Sequence, residues 1–265
     1  MRLSGKTALI TGASSGIGLE LAKLFAQDGC NLVLVARQEE KLRILGHEWE
    51  SQYGVGVTEV ALDLTLASAP DDLAVRLLRE RIQVDIVVSN AGFGVYGSFA
   101  KTDLKFELDM IQVNITALTH LTKLFLPGMI SRGYGKILNV PSTAAFQPGP
   151  LMAVYYASKA YVLSFSEALS SELRKTGVTV TTLCPGPTAT EFQSRAGVGH
   201  LPVMRAGLME AAVVAKAGYE SLLAGRRVVI PGLSNRMIAT AVRWIPRRWV
   251  LSAVRRLQER RSRTA

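Results

Sequence analysis

Tyr155 and Lys159 stand four residues apart in a stretch that reads as helix, so their side chains share one face. A free tyrosine ionises near pH ~10, too high for efficient proton exchange at neutral pH. An adjacent ammonium favours the phenolate and lowers that value. A drop of ~2–3 units needs roughly 3–4 kcal/mol of differential stabilisation, which Lys159 and a cationic cofactor ring together would supply. The pair is therefore a candidate acid/base for moving a proton on or off a substrate oxygen. Tyr156 has no lysine at i+4 and is expected to pack instead. The spacing alone also arises by chance in many helices.

A second chemistry lies in Thr11-Gly12-Ala13-Ser14-Ser15-Gly16-Ile17-Gly18. Glycines permit a sharp turn and let the backbone come close to a ligand. A helix starting near Gly16 aims free N–H groups and a partial positive charge back at that turn, and Ser14 and Ser15 add hydroxyls. A diphosphate fits there. A purely structural turn also needs glycines, but its place after a first strand and before a first helix favours nucleotide binding. The next strand ends Leu34-Val35-Ala36-Arg37. An acid at that point would hold a ribose 2′-hydroxyl, whereas an arginine suits a 2′-phosphate. Arg37 thus predicts NADP(H) over NAD(H), the alternative being a plain solvated loop charge.

These groups need a frame. Short apolar runs at 7–11, 31–35, 57–61, 85–88, 136–140, 178–184 and 227–230 read as strands buried on both faces. Helix-length patterns lie between them at 16–28, 39–53, 70–81, 104–132, 154–176 and 208–224. The alternation predicts right-handed βαβ units and a doubly wound, Rossmann-type parallel sheet of about seven strands. The stretch 104–132 is too long for one average helix and is expected to be two.

Composition sets the outer bounds. The chain has 265 residues, 48% hydrophobic and 20% charged, which is globular composition and excludes a disordered chain. Two cysteines, Cys30 and Cys184, exclude a disulfide scaffold. Cys184 reads as a small buried apolar residue, with no histidine paired to it in sequence. His47, His120 and His200 lack metal-ligand spacing, so no metal is expected. No apolar run reaches the ~20 residues that span a bilayer, and the opening Met1–Lys6 runs straight into a strand, so a cytoplasmic setting is expected. The formal charge of +10 is uneven: residues 233–265 hold nine arginines against one acid, Glu259, leaving only +2 for residues 1–232. We therefore expect a catalytic domain at 1–232 and a basic helical tail at 233–265.

Taken in order, these motifs resemble the short-chain dehydrogenase/reductase family, over residues 6 to about 190. The family's glycine motif falls on Thr11 to Gly18, its adenine-side acid on Asp63, followed by Leu64, and its Asn-Ala-Gly on Asn90-Ala91-Gly92. Its helix asparagine is Asn114, its serine Ser142, its active pair Tyr155 and Lys159, and its Pro-Gly turn Pro185-Gly186 with Thr188 and Thr190 beyond. The resemblance implies that Tyr155 exchanges the proton and Ser142 stabilises the substrate oxygen. It also implies that Lys159 tunes Tyr155 and holds the nicotinamide ribose, and that Asn114 anchors a water. Gly12, Ser14, Ser15, Gly16, Ile17, Gly18, Arg37, Asp63, Leu64 and the Asn-Ala-Gly and Pro-Gly turns would bind cofactor. A dimer or tetramer is also implied. Two departures stand out: Ser89 precedes Asn90 where the family usually has another Asn, and Pro141 precedes Ser142 where a small polar residue is usual.

Phe93, Val95, Phe146 and Phe192 follow strand ends and are expected to line a substrate pocket, with Leu201, Val203 and Met204 nearby. Their apolar character predicts a hydrophobic carbonyl or alcohol substrate. In the tail, Met237, Ile238, Ala241, Val242 and Ile245 share one helical face, and Trp249, Val250, Ala253, Val254 and Leu257 share another. Such basic amphipathic helices suit packing on the fold or an anionic membrane surface, and nucleic acid least. The rival functional readings are a nucleotide-sensing protein without turnover and a membrane-surface protein acting through its tail. The intact Ser142, Tyr155, Lys159 and Asn114 argue against the first.

Overall fold

Alternation along each strand sends successive side chains to opposite faces, and here both faces are buried. The computed structural model of the protein describes residues 3–192 and 208–262, the side chains of 260–262 excepted. Six strands carry the frame: β1 (Thr7–Thr11), β2 (Asn31–Ala36), β3 (Val57–Ala61), β4 (Ile86–Ser89), β5 (Gly135–Asn139) and β6 (Val178–Leu183). Two-residue strands follow as β7 (Thr188–Ala189), β8 (Met209–Glu210) and β9 (Val228–Val229). The sheet runs β3-β2-β1-β4-β5-β6-β9, parallel throughout.

Helices α1 (Gly16–Gln27), α2 (Glu39–Tyr53) and α3 (Ala69–Arg79) alternate with the first strands. Then come α4 (Leu104–Ile111), α5 (Leu118–Ser131), α6 (Ala153–Glu172) and α7 (Ala211–Leu223), and last α8 (Leu233–Ala241) and α9 (Arg247–Ser262). Ile10, Leu34 and Leu138 pack with Phe25 of α1 and Leu222 of α7 on one face. Leu9, Val33 and Val87 pack with Leu77 of α3, Leu121 of α5 and Leu169 of α6 on the other. Cutting one of these core leucines to alanine costs ~2–5 kcal/mol. The strand order reverses between β1 and β4, and ligands bind in the crevice beyond strand ends at such a point.

The stretch 104–132 holds two α-helices, as expected, but a π-helical turn, Gln112–Ala117, joins α4 to α5 without a loop, and the residues flanking the turn keep ordinary helical dihedrals. The small β7–β8 ladder, Thr188↔Met209 and Ala189↔Glu210, was not legible, because two-residue strands carry no periodic signal. In the tail, α8 buries Ala239, whereas Met237, Ile238, Ala241 and Ile245 of the apolar face read from the sequence are exposed. Helix α9 buries Val250, Val254 and Gln258, leaving Trp249, Ala253 and Leu257 outside. His200, Leu201, Val203 and Met204 lie outside the described residues.

Candidate active site

A cavity of about 610 Å³ opens at the carboxyl ends of β1, β4 and β5. One end lies against the glycine turn. Gly12 and Gly16 hold positive φ, 67° and 56°, which L side chains rarely adopt. A Cβ on Gly12 would come within 2.9 Å of Asn90 Nδ2. Ser15 precedes α1 in extended geometry and its hydroxyl caps no N–H of that helix. Twelve residues of helix therefore aim uncapped N–H groups and the positive dipole end at the cavity. Gly18 does not line the cavity. It is buried with its Cα against Gly12 and Asn90, so it serves the close approach of helix to turn.

Thr11 ties this turn to the next loop. Its hydroxyl accepts from the backbone N–H of Asn90 and Ala91, at 3.1 and 3.0 Å, and donates to the Val88 carbonyl. Asn90 Nδ2 donates to the carbonyls of Thr11 and Gly12, at 3.0 and 3.3 Å. Asn90 thus works first as a clamp on the turn, although it also borders the cavity. Ser14, Ser15, Gly16, Ile17, Arg37, Asp63, Leu64, Ala91 and Gly92 line the same end, as do Pro185, Gly186, Thr188 and Thr190 farther along. Asp63 is partly committed, accepting from Thr65 N–H at 3.0 Å. Arg37 is exposed at the rim, and among the described residues no carboxylate pairs with it. A backbone-lined floor, an open helix end, two serine hydroxyls and a rim guanidinium fit a phosphorylated dinucleotide.

The reacting groups meet at mid-cavity. Ser142 caps a short 3₁₀ turn, accepting from Ala144 N–H at 3.1 Å and donating to the Pro185 carbonyl at 3.3 Å. Tyr155 and Lys159 come from the first turns of α6 and both are buried. Lys159 Nζ donates to the Val140 carbonyl at 3.3 Å and sits 5.7 Å from the centre of the Tyr155 ring. Pro141 therefore leaves its neighbour's carbonyl useful without needing an N–H of its own, since β5 ends at Asn139.

Burial dominates both ionisations. It pushes the Tyr155 phenol above the ordinary tyrosine range, against the Ser142 hydroxyl, which favours the phenolate. Burial also lowers Lys159 to about 8. Without a cationic cofactor ring beside it, desolvation of the phenolate sets the direction at Tyr155. The Cys184 thiol is pushed up to about 12 by burial, so it is an inert core group.

Asn114 does not reach the cavity. The π turn places it behind the loop, 1% exposed. Its Oδ1 accepts from Phe93 N–H at 3.1 Å, and its Nδ2 donates to the Phe93 carbonyl and the Ser158 hydroxyl, each at 3.0 Å. Gly92 fits between Asn114 Oδ1 and Lys159 Nζ, where a Cβ would lie 2.9 and 3.1 Å from them.

The far end of the cavity is apolar. Phe93, Phe146 and Phe192 line it as expected, joined by Met152 and by Ile238 and Leu257 of the tail. Val95 packs instead with the Met110–Met152–Tyr155 cluster behind the wall. The tail contribution was missed: Asn235, Ile238, Ala239 and Leu257 all border the cavity. Gln258, 1% exposed, donates to the Tyr156 hydroxyl at 3.1 Å, and its backbone carbonyl accepts from the Tyr96 hydroxyl at 2.8 Å. Only the amphipathic pattern hinted at a role for the tail, and on α8 the residue that meets the body, Ala239, lies off the face that the pattern marked.

Residues 6–198 match the family model described as short chain dehydrogenase. An uncharacterized oxidoreductase of Staphylococcus epidermidis is 33% identical over 213 residues, covering 80% of this chain and 91% of its own. A very-long-chain 3-oxoacyl-CoA reductase of Pyrenophora tritici-repentis is 39% identical over 180 residues, 66% of this chain and 53% of its own, so the chain spans about half of that relative's length. A short-chain dehydrogenase from Sphingobium yanoikuyae, solved in complex with NADPH, superposes with a TM-score of 0.81 at 36% identity, covering 89% of this chain and 92% of that one.

Proposed function

This chain belongs to the short-chain dehydrogenase/reductase family of oxidoreductases, and from that premise we propose that it is an NADP(H)-dependent enzyme interconverting an apolar ketone or aldehyde and its alcohol. One observation carries the reading. A single cavity runs from an open helix end and a rim arginine, past Ser142, Tyr155 and Lys159, to a wall of aromatic and aliphatic side chains. The NADPH complex of the Sphingobium relative supports the cofactor, and the acyl-CoA reductase among the relatives supports an apolar substrate.

The α1 N-terminus with Ser14 and Ser15 would hold the diphosphate, and Arg37 a 2′-phosphate. A nicotinamide bound there would supply or accept the hydride. Tyr155, kept neutral by its burial, is in the form that donates a proton to a carbonyl oxygen. Ser142 donates a hydrogen bond to that oxygen as negative charge develops. Lys159, still mostly charged at neutral pH, stabilises the phenolate that donation leaves behind. In the oxidative direction Tyr155 would instead take the proton from the alcohol. The phenyl rings give the reacting centre an apolar wall, and the tail residues Ile238 and Leu257 border its mouth.

The test begins with thermal stability of the purified protein with NADPH, NADH or neither. A ligand at ~100 times its dissociation constant stabilises by ~2.7 kcal/mol. NADPH is expected to give the larger shift, and Arg37→Ser to shrink it while barely touching the NADH shift. A larger NADH shift in the native protein refutes the preference. Tyr155→Phe is then expected to abolish turnover with cofactor binding retained. Equal turnover in that variant removes the assigned acid. Cofactor binding with no turnover by the native protein, across apolar carbonyls and alcohols, would favour the nucleotide-sensing reading instead.

A further inference from the structure

The two tail helices that close the apolar end of the cavity present an outward face that, among the described residues, nothing covers. Helix α9 packs through Val250, Val254 and Gln258, spaced at i, i+4 and i+8. Helix α8 packs through Ala239, with Asn235 turned to the Pro231 carbonyl. Outside remain Trp244, 86% exposed, Trp249, 61%, Met237 and Ile238, 59% each, and Leu257, 51%. On α9 the stripe Trp249–Ala253–Leu257 runs beside the packed row, so the helix is apolar over a wider arc than the body covers. Arg236, Arg243, Arg247, Arg248 and Arg256 are exposed on the same two helices and their connection. The only acid of the segment, Glu259, is paired with Arg255 at 2.7 Å.

We propose that this face docks on an anionic lipid surface. Charge complementarity chooses the occupant: +8 of the formal +10 lies in residues 233–265, where an anionic headgroup layer would meet it. The apolar groups choose lipid over nucleic acid, because indole rings seat at headgroup depth and aliphatic side chains enter the acyl boundary, whereas a phosphate backbone offers them nothing. The contact lies in the interface plane, since no helix among the described residues is long and apolar enough to cross a membrane. Ile238 and Leu257 belong both to this face and to the cavity lining, so docking sets the cavity mouth at the lipid. The docking itself does not rest on the assigned reaction.

The experiment uses the full chain with vesicles of phosphatidylglycerol mixed into phosphatidylcholine, against phosphatidylcholine alone. Sedimentation with the mixed vesicles is expected, weakening as salt rises. Tryptophan emission should shift to the blue on binding, because Trp244 and Trp249 are exposed whereas Trp49 is already buried. The double variant R247E/R248E is expected to lower partitioning by about tenfold or more. A second variant, W244S/W249S, should weaken sedimentation and remove the blue shift. Both should keep the NADPH thermal shift of the native protein, which reports an intact fold. No salt-sensitive sedimentation overturns the proposal, as does binding that R247E/R248E leaves unchanged. Capture of duplex DNA with no emission change on vesicles would assign the face to nucleic acid and likewise overturn it.

Discussion

Replacing Asn114 by alanine tests whether the π turn exists to hold the loop that floors the cofactor groove. The substitution removes three hydrogen bonds from a side chain that is 1% exposed. The Phe93 peptide loses partners for both its N–H and its carbonyl. Ser158 loses an acceptor role but keeps its own donation to the Tyr155 carbonyl at 2.7 Å. Phe93 is only half-buried, so water can partly replace what is lost, and each bond is taken near its net value of ~1 kcal/mol. The expected cost is therefore about 3 kcal/mol. For a chain of this size that lowers the melting temperature by roughly 6–12 °C, read by circular dichroism and checked by urea unfolding. NADPH affinity should fall with it, because Ala91 and Gly92 border the groove and Gly92 is fitted between Asn114 and Lys159. A fall below about 2 °C with unchanged NADPH affinity refutes the reasoning. The loop would then be held by the Thr11 bonds to Asn90 and Ala91 alone.

Two further outcomes follow from burial around the site. Lys159 is lowered from 10.5 to about 8 in the folded chain, so between those values the unfolded state binds more protons and stability rises with pH. Below about pH 8 the lysine is charged in both states and its burial cost is fully present. Lys159→Met is therefore expected to be inactive yet more stable than the native protein at pH 7, with the advantage shrinking from pH 8 to 10.5 in urea titrations; a constant difference contradicts the assignment. Gln258→Leu keeps volume but loses the donation to Tyr156. Loss of one such bond, ~1 kcal/mol, should raise the KM for an apolar substrate about fivefold with kcat little changed, whereas a fall in kcat alone would separate the tail from substrate binding.

What was legible in the sequence was local or fully buried. The glycine turn announces itself in eight consecutive residues, and the Tyr155–Lys159 face needs only helical spacing. The central strands read correctly because a parallel strand is apolar on both faces, whatever its neighbours. The π turn was hidden because apolar spacing runs the same way before and after it. The partners that use the turn, Phe93 and Ser158, are 21 and 44 residues from Asn114 in sequence. The protonation of Tyr155 was hidden for a related reason. The neighbouring ammonium is visible in a sequence, but the burial of the ring that raises the phenol, with Phe192 packed 5.4 Å from it, is not.

The tail shows the sharper limit. An amphipathic pattern says that a face is better out of water, not which surface takes it there. On α8 the body is met by Ala239, a residue too small to stand out in any periodicity, because the helix lies close over the Thr143–Phe146 turn beside the cavity. Arg243 leans over the Phe146 ring there, 5.7 Å from its centre, and so holds a cation at the cavity's edge. Larger side chains on that side would have lifted the helix off the fold. The bulky residues were thereby left to the opposite side, where their burial requires a second surface, and the arginines among them restrict that surface to one carrying negative charge.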